Sequence, residues 1–388
     1  MPPIFSRRAA PGRLAIPKRT PRRGNALFLF MNTEQISAPK LPRPIFPGRL
    51  SPKHKRIVVL GIFRWKYALA VARIYAFIMC LWQIGCLKIG IASHVVLDTI
   101  KSASGKVVES IGGPPCYSGI TARRFGFDVE LATMVGGDFP EDMRNILRDN
   151  DITLREWHVA QEAKTTRFSL EADDDSRRLV LQSKCDPIAE QQVRDMKVDC
   201  WLVSPVIDEV QAGVLQAIKG NRGKKNFVML DPQGYMRIAG QDGKITFRDS
   251  LEIDLAGITA IKADSQELVA LAGAEGVDGM KILQSRGVEF VLATEYRTVH
   301  LLHKDMHYWI KLRVVDTPDS TGAGDVLSAA FACAWIKEKD PLWAICFAAG
   351  ALRAALETKV AGLDKIAAMS KIEASASYFY NTVGFQNV

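Results

Sequence analysis

The stretch PDSTGAGDVLSAAFACAWIKEK, residues 318–339, carries the decisive pattern of this 388-residue chain. Gly322, Ala323 and Gly324 precede a run in which Val326, Leu327, Ala330, Phe331, Ala334 and Trp335 recur at helical spacing. Lys337 and Lys339 stand near its C-terminal end, where cations are favoured. Small residues at a helix start leave several backbone N–H groups bare and aimed outward, which suits phosphate. Asp325 stands in the first turn of the same helix. Like charges repel, so this carboxylate does not bind the phosphate itself. Beside an anion hole it reads as a general base acting on the group that attacks. A plain helix start with a favourable acid and small packing residues fits the same spacing. The stretch has no GxxxxGK(S/T) loop, and Leu327 stands where the last glycine of GxGxxG would fall. Neither a P-loop NTPase nor a dinucleotide-binding fingerprint competes.

Outward from this motif the chain alternates between short apolar runs and helical stretches. The runs KIGIAS (88–93), VELATMV (129–135), CWLVS (200–204), FVMLD (227–231), ITAIKA (258–263) and EFVLAT (289–294) are near-continuous, as expected of strands buried on both faces of a parallel sheet. Between them Tyr117–Phe125, Pro140–Asn150, Val206–Lys219, Gln266–Ala274 and Lys281–Arg286 read as helices. The alternation predicts an α/β fold, a doubly wound, mostly parallel sheet flanked by helices. Ligands of such sheets bind at the carboxyl ends of the strands. Residues 99–111 and 153–183 break the rhythm and read as β-ribbon, a small separate sheet able to act as a lid.

DSTGAGD (Asp319–Asp325) with its small-residue helix resembles the C-terminal motif of the ribokinase/PfkB-type carbohydrate kinases. Other segments resemble that family in order. IGGPPCYSGITARRFG (111–126) is similar to its Gly-Gly motif, MVGGDFPEDM (134–143) to its VGxDxxG stretch, and KADSQE (262–267) to its Asn-x-x-Glu motif. The resemblance covers roughly 87–388 and implies a ribokinase-like domain with a lid. It implies phosphorylation of a hydroxyl on a sugar, an inositol-like polyol or a nucleoside. Asp325 would be the catalytic base, and the Gly322, Ala323 and Gly324 amides the anion hole. Asp98, Gly112, Gly113 and Tyr117 would meet the substrate. Asp264, Glu267, Thr294 and Thr321 would serve the nucleotide side, with Asp264 and Glu267 holding Mg²⁺ through water and Asp319 shaping the loop. ATP and Mg²⁺ are the implied cofactors, with room for a monovalent cation. A monomer, or a homodimer through the lid, is the implied assembly, in the cytoplasm.

Several positions depart from the family pattern. Tyr117 stands where the Gly-Gly motif carries an Asn, Glu141 where VGxDxxG has its second glycine, and Asp264 replaces the usual Asn. No glycine lies between Gly287 and Gly322, where the family places a Thr-x-Gly-x-x-Gly nucleotide loop. Thr294 survives there, and Tyr296 takes the first glycine's place. A ligand-binding protein with its chemistry lost on the same fold is therefore the rival reading. In DPQGYMR (231–237), Asp231 faces the expected cleft as a phosphate- or substrate-side residue or a turn cap, and Arg237 reads as part of a Pro-Gly turn, with an anion partner as the alternative. His300, His303 and His307 lie within eight residues, in a stretch that reads as a hairpin around Lys304 and Asp305. No cysteine or carboxylate cluster completes a metal set there.

The charge is divided. Residues 1–88 hold 17 Lys+Arg and one acid, Glu34, a balance of +16, within a chain whose total is +9. The remainder is therefore mildly acidic, which excludes a uniformly basic nucleic-acid-coating protein. Residues 1–56 contain ten of the 18 prolines and read as a disordered basic extension. Were that arm the business end, the chain would be nucleic-acid-associated; we expect no nucleic-acid partner. Residues 57–86 are apolar, but their longest charge-free run, Ile74–Leu87, has 14 residues, whereas a spanning helix takes about 20. This segment reads as not native or as a weak membrane anchor, and no membrane partner is expected. We expect residues 1–86 to reflect translation from an upstream start, with the working protein beginning near Leu87. The seven cysteines are odd in number, widely spaced and without a CxxC pair, which fits a reducing compartment.

Overall fold

The computed structural model describes residues 87–101, 107–173, 176–220, 227–313, 317, 319–358 and 360–388. The expectations for residues 1–86 lie outside the described residues. Nine strands form the central sheet, in the spatial order Gly384–Asn387, Met306–Lys311, Thr298–His303, Phe290–Glu295, Ala260–Asp264, Phe227–Leu230, Cys200–Val203, Lys88–Ala92 and Asp128–Ala132. The last six pair in parallel, and the first three add antiparallel at one edge. The expected hairpin around Lys304 and Asp305 supplies two of those edge strands.

Strand alternation sends side chains to both faces, and helices cover both. Ile89, Ile91, Phe227, Met229 and Ala260 face the core that contains the apolar side chains of helix Ala323–Glu338. Ala92, Val203, Val228, Leu230, Ile261 and Ala263 face the other core, with Val214, Leu268 and Leu283. The helix Ala323–Glu338 is apolar all round because it is buried all round. It packs against helices Pro114–Arg124 and Pro341–Leu356, and its alanines permit close approach. Phe290 anchors this core, its ring 4.6 Å from Trp335 and 5.8 Å from Phe331. Each such aromatic contributes about 1.5–3 kcal/mol by leaving water.

A second sheet forms the lid. Its order is Val107–Gly112, Val96–Lys101, Arg167–Asp173 and Ser176–Ser183, with the two middle strands parallel. Val96 and Phe168 pack on Val206 and Ile207 of the body. The lid is shorter than the ribbon pattern predicts. Residues 153–166 stay with the body, where Val159–Ala160 pairs with Val135–Gly136 and Thr165 donates to Asp138 at 2.8 Å. The helix expected from Val206 begins at Ala212. The cause is Glu209, fully buried, whose carboxylate accepts from the Val206 and Ile207 amides and from that of His94 at the lid root.

Candidate active site

Helix Ala323–Glu338 begins at the carboxyl ends of the strands. Its N-cap is Gly322, with φ 70°, a left-handed conformation that suits glycine. A Cβ there would lie 2.2 Å from the Tyr117 ring, so the space is closed to any side chain. Asp319 shapes the preceding loop. Its Oδ1 accepts from the Thr321 amide at 2.8 Å, and its Oδ2 accepts from the Gly362 amide and Lys365 Nζ, both at 2.9 Å. Burial alone would raise the Asp319 pKa, yet Lys365 and these amides hold it down at about 2.

Asp325 lies in the first helical turn and is buried, and its Oδ1 has no hydrogen-bond partner. Burial pushes its carboxyl up to about 7, Asp231 pushes the same way, and Lys262 and Arg237 oppose. An orphaned buried carboxylate is costly. It is also poised to take a proton near neutral pH. On the lid side Asp98 is raised to about 6, by burial first, with Arg237 opposing and Asp319 adding. A Cβ on residue 112 would fall 2.3 Å from Asp98 Oδ2, so Gly112 lets the lid carboxylate lie against the backbone. Gly113 caps helix Pro114–Arg124, which carries Tyr117. The structure thus brings Asp98, Gly112, Tyr117, Gly322, Gly324 and Asp325 together, although they span 228 positions of chain. Tyr117 is 3% exposed, with Lys365 Nζ 5.1 Å from its ring centroid. Its ring lies beneath the loop, against the Gly322 position.

Asp264 and Glu267 begin helix Ser265–Ala272 in a reciprocal capping box. Glu267 N donates to Asp264 Oδ1 at 2.8 Å, and Asp264 N donates to Glu267 Oε2 at 2.7 Å. Glu267 is raised by burial, with Lys262 opposing. Thr294 lies beside Asp264 in the parallel register. Beyond it the turn is two residues, Tyr296 and Arg297, with Tyr296 at φ 52° and 91% exposed.

Two cations join this cluster, and the first was not predicted. Lys262, buried, lies 3.2 Å from Asp231 Oδ2 and 3.5 Å from Glu267 Oε2. Its one sequence signal is a lysine inside the apolar run ITAIKA. Arg237 corrects the turn reading. Its guanidinium donates to Val206 O and Gln233 Oε1 and lies 5.7 Å from the ring centroid of Phe168 of the lid. Its pKa is lowered by burial, and Asp231, Glu267 and Asp325 counter this.

His300 Nδ1 and His307 Nε2 share a hydrogen bond of 3.0 Å, and His303 stacks on Phe290. Among the described residues no group of three potential metal-binding side chains occurs. The five described cysteines are free and buried. No helix among the described residues is long and apolar enough to cross a membrane.

A large, mostly parallel sheet with a small second sheet, and a buried carboxylate at a Gly-Ala-Gly helix start, is the arrangement expected of a small-molecule kinase. Residues 85–365 match the pfkB family of carbohydrate kinases, and the chain belongs to that family. It is thus a phosphotransferase with an alcohol group as acceptor. A cytidine kinase from Thermococcus kodakarensis is 23% identical over 254 residues, covering 63% of this chain and 87% of the relative. A solved pyrophosphate-dependent myo-inositol-1 kinase, converted by substitution into a myo-inositol-3 kinase, superposes with a TM-score of 0.63. It is 23% identical, with 75% of this chain and 99% of that one covered. A ribokinase from Thermotoga maritima superposes with a TM-score of 0.59 at 18% identity, covering 75% of this chain and 99% of its own.

Proposed function

We propose that this kinase transfers the terminal phosphoryl group of ATP to a hydroxyl of a cyclitol or nucleoside, with Asp325 as general base. The observation that carries this reading is the Asp325 carboxylate, buried without a partner for Oδ1 in the first turn of the anion-hole helix. The acceptor hydroxyl sits between the lid carboxylate of Asp98 and Asp325. Asp98 accepts from neighbouring hydroxyls of the acceptor and so orients the one that attacks. Asp325 takes its proton as the oxygen attacks in line. The amides at Gly322, Ala323 and Gly324 meet the charge on the transferred group. Closure of the lid excludes water, which suppresses hydrolysis of the donor.

Asp264 and Glu267 fit a water-mediated Mg²⁺ position. The capping box uses Oδ1 of one and Oε2 of the other, which leaves Asp264 Oδ2 and Glu267 Oε1 outside it. Bound there, the ion would neutralise phosphate charge. The cytidine kinase likeness and the inositol kinase likeness both support an acceptor with vicinal hydroxyls. The two-residue turn at Tyr296 and Arg297, without glycine, favours a second donor, pyrophosphate. Free buried cysteines support a cytoplasmic enzyme.

The test is a matrix of myo-inositol, cytidine, ribose and fructose against ATP and pyrophosphate, with product phosphate ester read by mass spectrometry. We expect turnover with at least one acceptor and its loss in Asp325→Asn. Turnover retained in that variant, or none with any pair, rejects the proposal.

A further inference from the structure

Lys262 is unusual as a side chain before it is unusual as a site. It lies in strand Ala260–Asp264, the fifth of the six parallel strands, where an apolar residue is expected. Ala260 faces the core of helix Ala323–Glu338, whereas Ile261 and Ala263 face the opposite core. Alternation therefore sends Lys262 toward that helix. Its ammonium reaches the helix start. A Cβ built on Gly324 would lie 3.2 Å from Lys262 Nζ and 4.0 Å from Asp231 Oδ2. The second glycine of the Gly-Ala-Gly run is thus the residue that lets a buried cation lie against the anion-hole backbone.

Resting on the kinase reading above, we propose that Lys262 is a further catalytic residue, whose ammonium holds a non-bridging oxygen of the phosphoryl group during transfer. The ammonium has three N–H bonds and two carboxylate neighbours, Asp231 and Glu267. That leaves one N–H beyond the two carboxylates, and Gly324 also adjoins the ammonium. Lys262 shares the balancing of the cleft's charge with Arg237, and of the two it is the one that lies against Gly324. Asp98, Asp231, Asp264, Glu267 and Asp325 surround the cleft, and a donor phosphate brings more negative charge. Amide dipoles at one helix start offer about half an elementary charge. Lysine acts on phosphate as a compact point charge and needs no forked geometry. In the step itself, a bond forms between the acceptor oxygen and phosphorus. The bond from phosphorus to the bridging oxygen of the donor breaks, and the acceptor proton passes to Asp325. Lys262 keeps its proton throughout. Asp231, Glu267 and Asp264 favour that charged form, against the effect of burial.

A lysine that merely balances Asp231 would make the same contacts, so the test must separate the two roles. The full chain is compared as wild type, Lys262→Met, and Lys262→Met with Asp231→Asn, which restores the wild-type charge. Pyrophosphate binding is measured by calorimetry, and kcat and KM are measured with ATP and with pyrophosphate as donors. We expect Lys262→Met to lower kcat by about 100-fold and to weaken pyrophosphate binding by about tenfold or more. The charge-restored variant regains thermal stability but neither pyrophosphate affinity nor kcat. Wild-type pyrophosphate affinity in the charge-restored variant overturns the proposal. Should the wild type turn over no acceptor, the kinase reading fails by itself, and pyrophosphate binding still decides whether Lys262 holds the anion.

Discussion

Replacing Asp325 by asparagine should abolish turnover and make the unliganded protein more stable, and the gain should depend on pH. The native carboxyl titrates at about 7 against an ordinary value of 3.8. The folded state therefore binds this proton more tightly than the unfolded chain. The ionised form is unfavourable in the fold, so stability is highest below about pH 4 and falls as pH rises to about 7. The full shift is worth about 4 kcal/mol above neutrality, and about 2 kcal/mol of the cost is already present at pH 5. Asparagine keeps the shape and removes the charge. At about 2 °C per kcal/mol for a domain of this size, the variant gains about 4 °C more in Tm at pH 8 than at pH 5. The pH contrast cancels any fixed cost of packing the amide. Differential scanning calorimetry of the two full chains, without nucleotide or acceptor, reads both values. A Tm difference that is the same at pH 5 and pH 8, or a variant less stable at pH 8 than at pH 5 relative to wild type, refutes a strained, buried base at this position.

The same carboxyl sets the activity profile. Asp325 acts only when ionised, so kcat/KM should rise with pH through about 7 and level off above it. Stopped assays across pH 5.5–9 check this, and a flat acidic limb speaks against Asp325 as the base. Asp319→Ala should cost about 3–5 kcal/mol in urea unfolding, because it strands the buried Lys365. Adding Lys365→Met should recover much of that loss, and equal stability of the single and double variants would show that the pair does not hold the loop to Gly362.

How far the sequence speaks is best seen along one line through the site. The six parallel strands were legible because strands buried on both faces leave apolar runs, and FVMLD and EFVLAT have no other plausible use. The anion-hole helix was legible because its whole signal, small residues followed by a 3.6-residue period, is local. Lys262 was illegible for the opposite reason. Its meaning depends on register, which apolar runs do not encode. Met229 pairs with Ala260 and Leu230 with Ile261, so Asp231 and Lys262 stand in the next row. Ala263 pairs with Ala293 and Asp264 with Thr294, which sets the nucleotide-side residues in one line. A slip of one residue would send Lys262 to the opposite core and leave Asp231 unpaired. Arg237 was legible only as an alternative, for a related cause. DPQGYMR has the composition of a turn, and what sets the arginine apart, the Phe168 ring of the lid and the charges of Asp231, Glu267 and Asp325, comes mostly from distant segments. Local chemistry thus marks the Gly-Ala-Gly helix start, while the charges that surround it are placed by pairings dozens of residues apart. For this chain the charge-restored Lys262 variant is therefore a more searching test of the site than any change within the Gly-Ala-Gly motif itself.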